Sequence, residues 1–173
     1  MADPRVTLRP ALAADRFMIR RWLVEPHVET WWGSRASAEA KVTLALGSDG
    51  ALCRIIECDG VAAGYAHAVD MALWGGAWPQ GLPAGAFDID LFVGEKALIG
   101  RGIGRATLGL LAAEVFATTL AVACAVVVSI RNEAAVRAYE KAGFHWISVW
   151  EAPVTGPSWV MLKLRPEPVP RRG

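Results

Sequence analysis

Two carboxylates interrupt an otherwise apolar run, Phe87-Asp88-Ile89-Asp90-Leu91-Phe92-Val93. Side chains of a strand alternate, so Asp88 and Asp90 share one face, while Phe87, Ile89, Leu91 and Val93 take the other. A buried, unpaired charge is costly, so the two acids need a reason to be there. A cationic amine substrate would supply it. Solvation at a strand end, or pairing with an arginine, would also account for them. Two neighbouring carboxylates raise one pKa towards a range useful for proton transfer.

A second group of residues suits an anionic ligand. Ile99-Gly100-Arg101-Gly102-Ile103-Gly104-Arg105-Ala106 follows a strand by a short loop and opens a helix. Glycine allows close backbone approach and positive φ. A helix start offers unpaired N–H groups and a positive dipole end. Together they form a pyrophosphate cradle, with Arg101 and Arg105 adding charge. The plainer alternative is a tight loop that lets a helix pack on a strand. No Gly-Lys-Ser/Thr is present, so this is no Walker loop. The dinucleotide spacing Gly-x-Gly-x-x-Gly fails in either register, because Arg105 or Thr107 stands at the third position.

A third group lies downstream, in Ser129-Ile-Arg-Asn132-Glu-Ala-Ala-Val136-Arg-Ala-Tyr139-Glu-Lys-Ala-Gly143-Phe144. Asn132 can cap a helix by accepting from first-turn N–H groups. Tyr139 lies two turns along the same face, as a presented phenol or as a core aromatic. This stretch resembles the Asn-x-x-Ala-x-x-x-Tyr-x-Lys-x-Gly-Phe pattern of the GNAT superfamily of N-acetyltransferases, and the glycine turn upstream completes the pair of motifs.

The resemblance implies acetyl-CoA as co-substrate. Two neighbouring parallel strands splay apart, and pantetheine lies in the gap along the backbone of Leu91, Phe92 and Val93. The pyrophosphate sits on Gly100, Arg101, Gly102, Ile103, Gly104 and Arg105, and Asn132 also belongs to the cofactor site. Tyr139 corresponds to the proton donor to the departing thiolate. An ordinary thiol titrates near about 8.5 and a phenol near about 10, so that transfer is nearly balanced. Ile99 departs from the superfamily, which often has Gln or Arg there.

The opening Trp22-Leu23-x-x-Pro26-His27-Val28-x-x-Trp31-Trp32-Gly33 is similar to that of bacterial aminoglycoside 6′-N-acetyltransferases, and related openings occur in acyltransferases for siderophore precursors. This resemblance implies Asp90 as general base and the 6′-amine of an aminoglycoside as acceptor. Trp31 and Trp32 can stack on a sugar or hold an amine by cation–π attraction, and His27 can hydrogen-bond or titrate. With Asp88 they form the expected acceptor pocket. Packing is the competing role for the tryptophans and for His27. Two departures count against a polycationic acceptor: the loop from Met71 to Gly85 holds no acid, and Thr155 stands where those relatives often have one. A siderophore precursor, another small amine, a protein N-terminus and a non-catalytic acyl-CoA-binding module are the alternatives.

These residues need a scaffold. Strands are expected at Val6–Pro10, Ala51–Cys58, Val61–Val69, Phe87–Val93, Cys124–Ser129, Phe144–Trp150 and Trp159–Leu164. Asp59-Gly60 is a type I′ hairpin turn. Helices are expected at Ala13–Leu23, with Phe17 and Trp22 among its apolar positions, and at Ser37–Leu46, Arg101–Ala117 and Asn132–Ala142. A helical turn is expected at His27–Trp32, and Met71–Gly85 reads as a loop. The order predicts an α/β (α+β) domain: one mixed, mostly antiparallel sheet with flanking helices, neither barrel nor doubly wound. The domain spans residues 1–164, and the Pro- and Arg-rich segment 165–173 reads as an extended tail.

The chain has 173 residues, 54% of them hydrophobic, and a formal charge of +1. That balance fits a folded domain and argues against a nucleic-acid partner. No apolar run nears the roughly 20 residues of a membrane span, and the first residues lack a signal-like apolar stretch. A cytoplasmic location is expected. Cys53, Cys58 and Cys124 have no metal-like spacing, so no metal is expected and the thiols read as buried and reduced. A monomer is expected, or a homodimer formed through exposed Trp150 and Trp159.

Overall fold

The computed structural model describes residues 4–74 and 78–167. Seven strands form one sheet: β1 (Val6–Pro10), β2 (Leu52–Cys58), β3 (Val61–Asp70), β4 (Ala86–Val93), β5 (Ala123–Ser129), β6 (His145–Ala152) and β7 (Gly156–Leu164). Their order is β1-β2-β3-β4-β5-β7-β6. Only β4 and β5 run parallel, and they pair over just three residues, Ala86–Asp88 against Ala123–Ala125. Beyond Asp88 they part. β4 stays paired with β3 through Val93, and β5 stays paired with β7 through Ser129. The mixed, mostly antiparallel sheet with a splayed parallel pair is the architecture expected.

The helices are α1 (Arg16–Leu23), α2 (Pro26–Trp32), α3 (Arg35–Leu46), α4 (Met71–Trp74), α5 (Ile103–Thr118) and α6 (Glu133–Lys141). Two apolar layers cover the two faces of the sheet. On one, Leu108, Leu111 and Val115 of α5 pack with Tyr139, Phe87, Ile89 and Val126. On the other, Ile19, Trp22 and Leu23 of α1 and Val42 of α3 pack with Ile55, Tyr65 and Phe92. Burying one such Leu or Ile is worth about 1.5–3 kcal/mol.

Several elements differ from expectation for local reasons. α5 begins at Ile103 rather than Arg101, because Gly102 takes a left-handed φ of 78° and serves as N-cap. Arg101 is thereby left outside the first helical turn. Ser34 caps α3 two residues early, accepting from Ser37 N–H. Phe17 is 80% exposed and does not join Trp22 in the core. Met71–Trp74 is a helical turn rather than loop, started by Asp70 accepting from Ala72 N–H at 2.9 Å. β7 begins at Gly156, three residues before Trp159, because Pro157 and Ser158 pair with Glu151 and Trp150.

Trp150 and Trp159 are half-buried rather than exposed. Trp159 packs against Trp146, which is the exposed one at 64%. Arg165, placed in the tail by composition, donates to the carbonyls of Ala121, Phe116 and Thr119 at 2.6–2.8 Å. The remainder of that tail from residue 168 lies outside the described residues. Among the described residues, no helix is long and apolar enough to cross a membrane.

Candidate active site

Where β4 leaves β5, the gap widens into a cleft of about 950 Å³, within the range of small-molecule sites. The alternation of β4 decides what faces it. Phe87 and Ile89 belong to the layer under α5, and Phe92 belongs to the layer under α1 and α3. Asp88 and Asp90 share the side of Phe92, as the period of two requires.

Asp88 is buried, at 6% exposure. Burial pushes its carboxyl up to about 6; Lys41 opposes that shift, and Asp90 adds to it. Asp90 has two partners of its own. Its Oδ1 accepts from Leu91 N–H at 2.9 Å, and its Oδ2 is ion-paired with Lys41 of α3. The Lys41 ammonium also stands 5.1 Å from the centre of the Trp32 ring. Burial works against that charge, but Asp90 and Asp88 outweigh it and hold the ammonium above the ordinary lysine range. The acids therefore already have a cation: a lysine of the chain itself, rather than an arginine or solvent.

α2 reaches across the open edge of β4. Pro26 opens the helix at its first position, where a missing N–H costs nothing. His27 Nε2 donates to Val93 C=O at 3.0 Å, and Trp32 Nε1 donates to Leu91 C=O at 3.2 Å. Trp32 also meets Phe92 edge-on at 4.9 Å. His27 and Trp32 thus tie α2 to the strand backbone expected to pair with pantetheine, while both still line the cleft. A carbonyl has two lone pairs, so each can accept a second bond. Leu91 N–H is engaged by Asp90.

The glycine turn forms another wall. Gly100 and Gly102 take φ of 79° and 78°. A Cβ on either would meet nothing within 4 Å, so the turn is open and the glycines are there for conformation. Gly100, Gly102, Ile103, Gly104 and Arg105 line the cleft. Arg101 does not; it is exposed and lies near enough to Cys58 to favour that thiolate against burial. An open glycine surface, the N–H groups that begin α5 and the adjoining gap fit a pyrophosphate with an extended arm.

Asn132 caps α6, its Oδ1 accepting from Ala135 N–H at 3.2 Å. Tyr139 lies on that helix with 7% exposure and lines the same cleft. Burial, then the charges of Asp90 and Asp88, push its phenol well above the ordinary range. It stays protonated, and the same burial makes it a weaker acid than the ordinary phenol whose transfer to a thiolate is nearly balanced.

The cleft thus brings together His27, Trp31, Trp32, Asp88, Asp90, Leu91, Phe92, Val93, the turn without Arg101, Asn132 and Tyr139. Ile99 and Thr155, two of the three positions or segments that depart from the relatives' pattern, line it as well. Sequence reading missed Lys41, Trp74, Trp78 and Trp150. The available signal for Lys41 was its place one turn from Ser37, beside the buried Val42. Cys124, the second residue of β5, is fully buried, and its thiol is pushed up to about 12, which leaves it inert.

A family model described as an acetyltransferase (GNAT) domain matches residues 11–151. The aminoglycoside N(6′)-acetyltransferase type 1 of Klebsiella pneumoniae is 29% identical over 175 residues, covering 95% of this chain and 85% of the relative. A crystal structure of aminoglycoside acetyltransferase AAC(6′)-Ib in complex with coenzyme A superposes with a TM-score of 0.80 at 27% identity, covering 93% of this chain and 95% of that one. The same enzyme with coenzyme A and kanamycin superposes with a TM-score of 0.80 at 26% identity, with the same coverage. A spermidine N-acetyltransferase from Vibrio cholerae shares the fold, with a TM-score of 0.71 at 14% identity over 92% of this chain and 95% of that one.

Proposed function

The chain belongs to the GNAT acetyltransferases, and from that premise we propose that it transfers the acetyl group of acetyl-CoA to a primary amine, with the 6′-amine of an aminoglycoside as the acceptor its relatives suggest. One observation carries the reading: Asp90 and Tyr139, a carboxylate and a phenol held protonated, line one cleft with the glycine turn.

The turn from Gly100 to Arg105 holds the pyrophosphate, with Arg105 adding charge, and the pantetheine arm lies against Leu91 and Val93. Asp90 takes a proton from the acceptor ammonium, directly or through water. The neutral nitrogen then attacks the thioester carbonyl. Because Leu91 N–H is held by Asp90, the developing oxyanion falls to Val93 N–H, on the same edge of β4. As the carbon–sulfur bond breaks, Tyr139 protonates the leaving thiolate, and the second proton lost by the attacking nitrogen returns to Tyr139 through solvent, so that only the proton on Asp90 remains to be released. Trp31 and Trp32 offer flat faces to the acceptor. No covalent enzyme intermediate is needed.

The test is release of coenzyme A thiol from acetyl-CoA with kanamycin, a polyamine, lysine derivatives and a peptide N-terminus. Turnover with kanamycin supports the aminoglycoside acceptor. Turnover with another amine alone keeps acetyl transfer and replaces the acceptor. Coenzyme A binding without turnover on any amine overturns the enzyme reading in favour of a binding module.

A further inference from the structure

Lys41 stands where an acceptor amine would stand. Its ammonium is paired with Asp90 and faces the Trp32 ring, the two contacts that would recognise a substrate ammonium. The charged side chains lining the cleft are Lys41, Arg105, Arg137 and Lys141 against Asp88 and Asp90 alone, among the described residues. Arg105 belongs to α5, and Arg137 and Lys141 to α6, beside the turn assigned to the pyrophosphate. On the other side Lys41 cancels one of the two acids, so an incoming acceptor meets at most one uncompensated negative charge.

The cleft also has a large aromatic lining, Trp31, Trp32, Trp74, Trp78 and Trp150, of which Trp32 faces Lys41 and shares His67 as a neighbour with Trp74. The indole N–H groups of Trp74 and Trp78 are buried without a hydrogen-bond partner among the described residues. Both nitrogens are closed off even with the cleft open, so these indoles offer the acceptor apolar ring surface rather than a donor.

We propose that Lys41 is a specificity residue that limits the charge of the acceptor, and that the acceptor is an amine bearing a single ammonium on a flat, largely apolar body. This rests on the amine acetyltransferase reading, and it replaces the aminoglycoside acceptor suggested by the relatives with a singly charged amine. A second and third ammonium find no carboxylate in this cleft and are repelled by Lys41. A single ammonium shares Asp90 and Asp88 with Lys41, and its body stacks on the tryptophans.

The experiment compares tyramine and 5-methoxytryptamine, each with one ammonium, with kanamycin and spermine, which carry several. Steady-state kinetics with acetyl-CoA are measured for the parent, Lys41→Met and Lys41→Arg. The parent is expected to favour the monoamines in kcat/KM. Lys41→Met is expected to shift the polycation-to-monoamine ratio towards polycations by roughly tenfold or more, mainly through KM, and Lys41→Arg to keep the parent ratio. A parent that favours kanamycin or spermine, a ratio unmoved in Lys41→Met, or a ratio moved equally in Lys41→Arg overturns the proposal. Calorimetric binding of the same four amines to the coenzyme A-loaded protein gives the same ratio independently of turnover. Absent turnover with every amine therefore counts against the enzyme reading, while the binding ratio still decides the role of Lys41. Should Lys41→Met fail to fold, Lys41→Gln serves in its place.

Discussion

Asp90 and Tyr139 reach one cleft from different elements, where they are proposed as base and acid. Asp90 is an acceptor with one oxygen on Leu91 N–H and the other on Lys41. Tyr139 is held protonated by burial and by the nearby acids. Tyr139→Phe removes the proposed proton donor and is expected to lower kcat by about 10²–10⁴-fold with little change in affinity for coenzyme A; single-turnover kinetics beside calorimetry check this. Asp88 carries a stability signature. Burial raises its carboxyl from 3.8 to about 6, so the folded chain keeps this proton where the unfolded chain has lost it. Its contribution is complete below the unfolded value and is lost as pH rises through about 6. Asp88→Asn should therefore gain stability relative to the parent as pH rises from 3.8 through about 6, hold that gain at higher pH and lose it on acidification. Urea denaturation across this range tests it, and a constant difference at every pH would contradict it.

At the scale of elements, the short parallel pairing of β4 with β5 makes the site: three paired residues, then a gap. α1 and α2 hold the freed end of β4 from the other side. Trp22 Nε1 and the Arg21 guanidinium donate to Glu95 at 2.8 and 2.9 Å, and a Cβ on Gly94 would lie 2.2 Å from the Trp22 ring. That contact allows no side chain at residue 94. Gly94→Ala is expected to push α1 off β4 and cost about 1–3 kcal/mol, read by urea or thermal unfolding; unchanged stability would show that α1 can yield. The face shared by Asp88 and Asp90 was legible, because strand alternation is a local property. So was the cap at Asn132, and so was the end of α6 at Gly143, whose φ is 87°. The start of α5 was misread because Gly102 adopts a left-handed conformation that the helical pattern does not reveal.

Across the whole molecule, the unread parts are the long-range ones. Lys41 meets Asp90 across 49 residues of chain, and no local pattern in α3 announces that partner. β7 entering the sheet between β5 and β6 is likewise a matter of global pairing. It carries the chain back past β5, so that Arg165 docks on three carbonyls around the end of α5. Composition assigned that arginine to the tail. Arg165→Ala is expected to destabilise the fold by roughly 1–3 kcal/mol, seen as a lower thermal midpoint, with coenzyme A affinity of the folded protein retained. The glycine turn and the pattern around Tyr139 were legible because each is a contiguous motif, whereas the aromatic wall draws Trp31, Trp74, Trp78 and Trp150 from separate segments. The central claim is direct acetyl transfer to an amine with Asp90 as base. The measurement that tests it most directly is coenzyme A thiol release from acetyl-CoA across the amine panel, for the parent and Asp90→Asn, with coenzyme A binding measured in parallel. Turnover of at least one amine by the parent is expected, with a fall of about 10²–10⁴-fold in Asp90→Asn and equal coenzyme A binding by both. Undiminished turnover in Asp90→Asn, or none in a parent that binds coenzyme A, would contradict it.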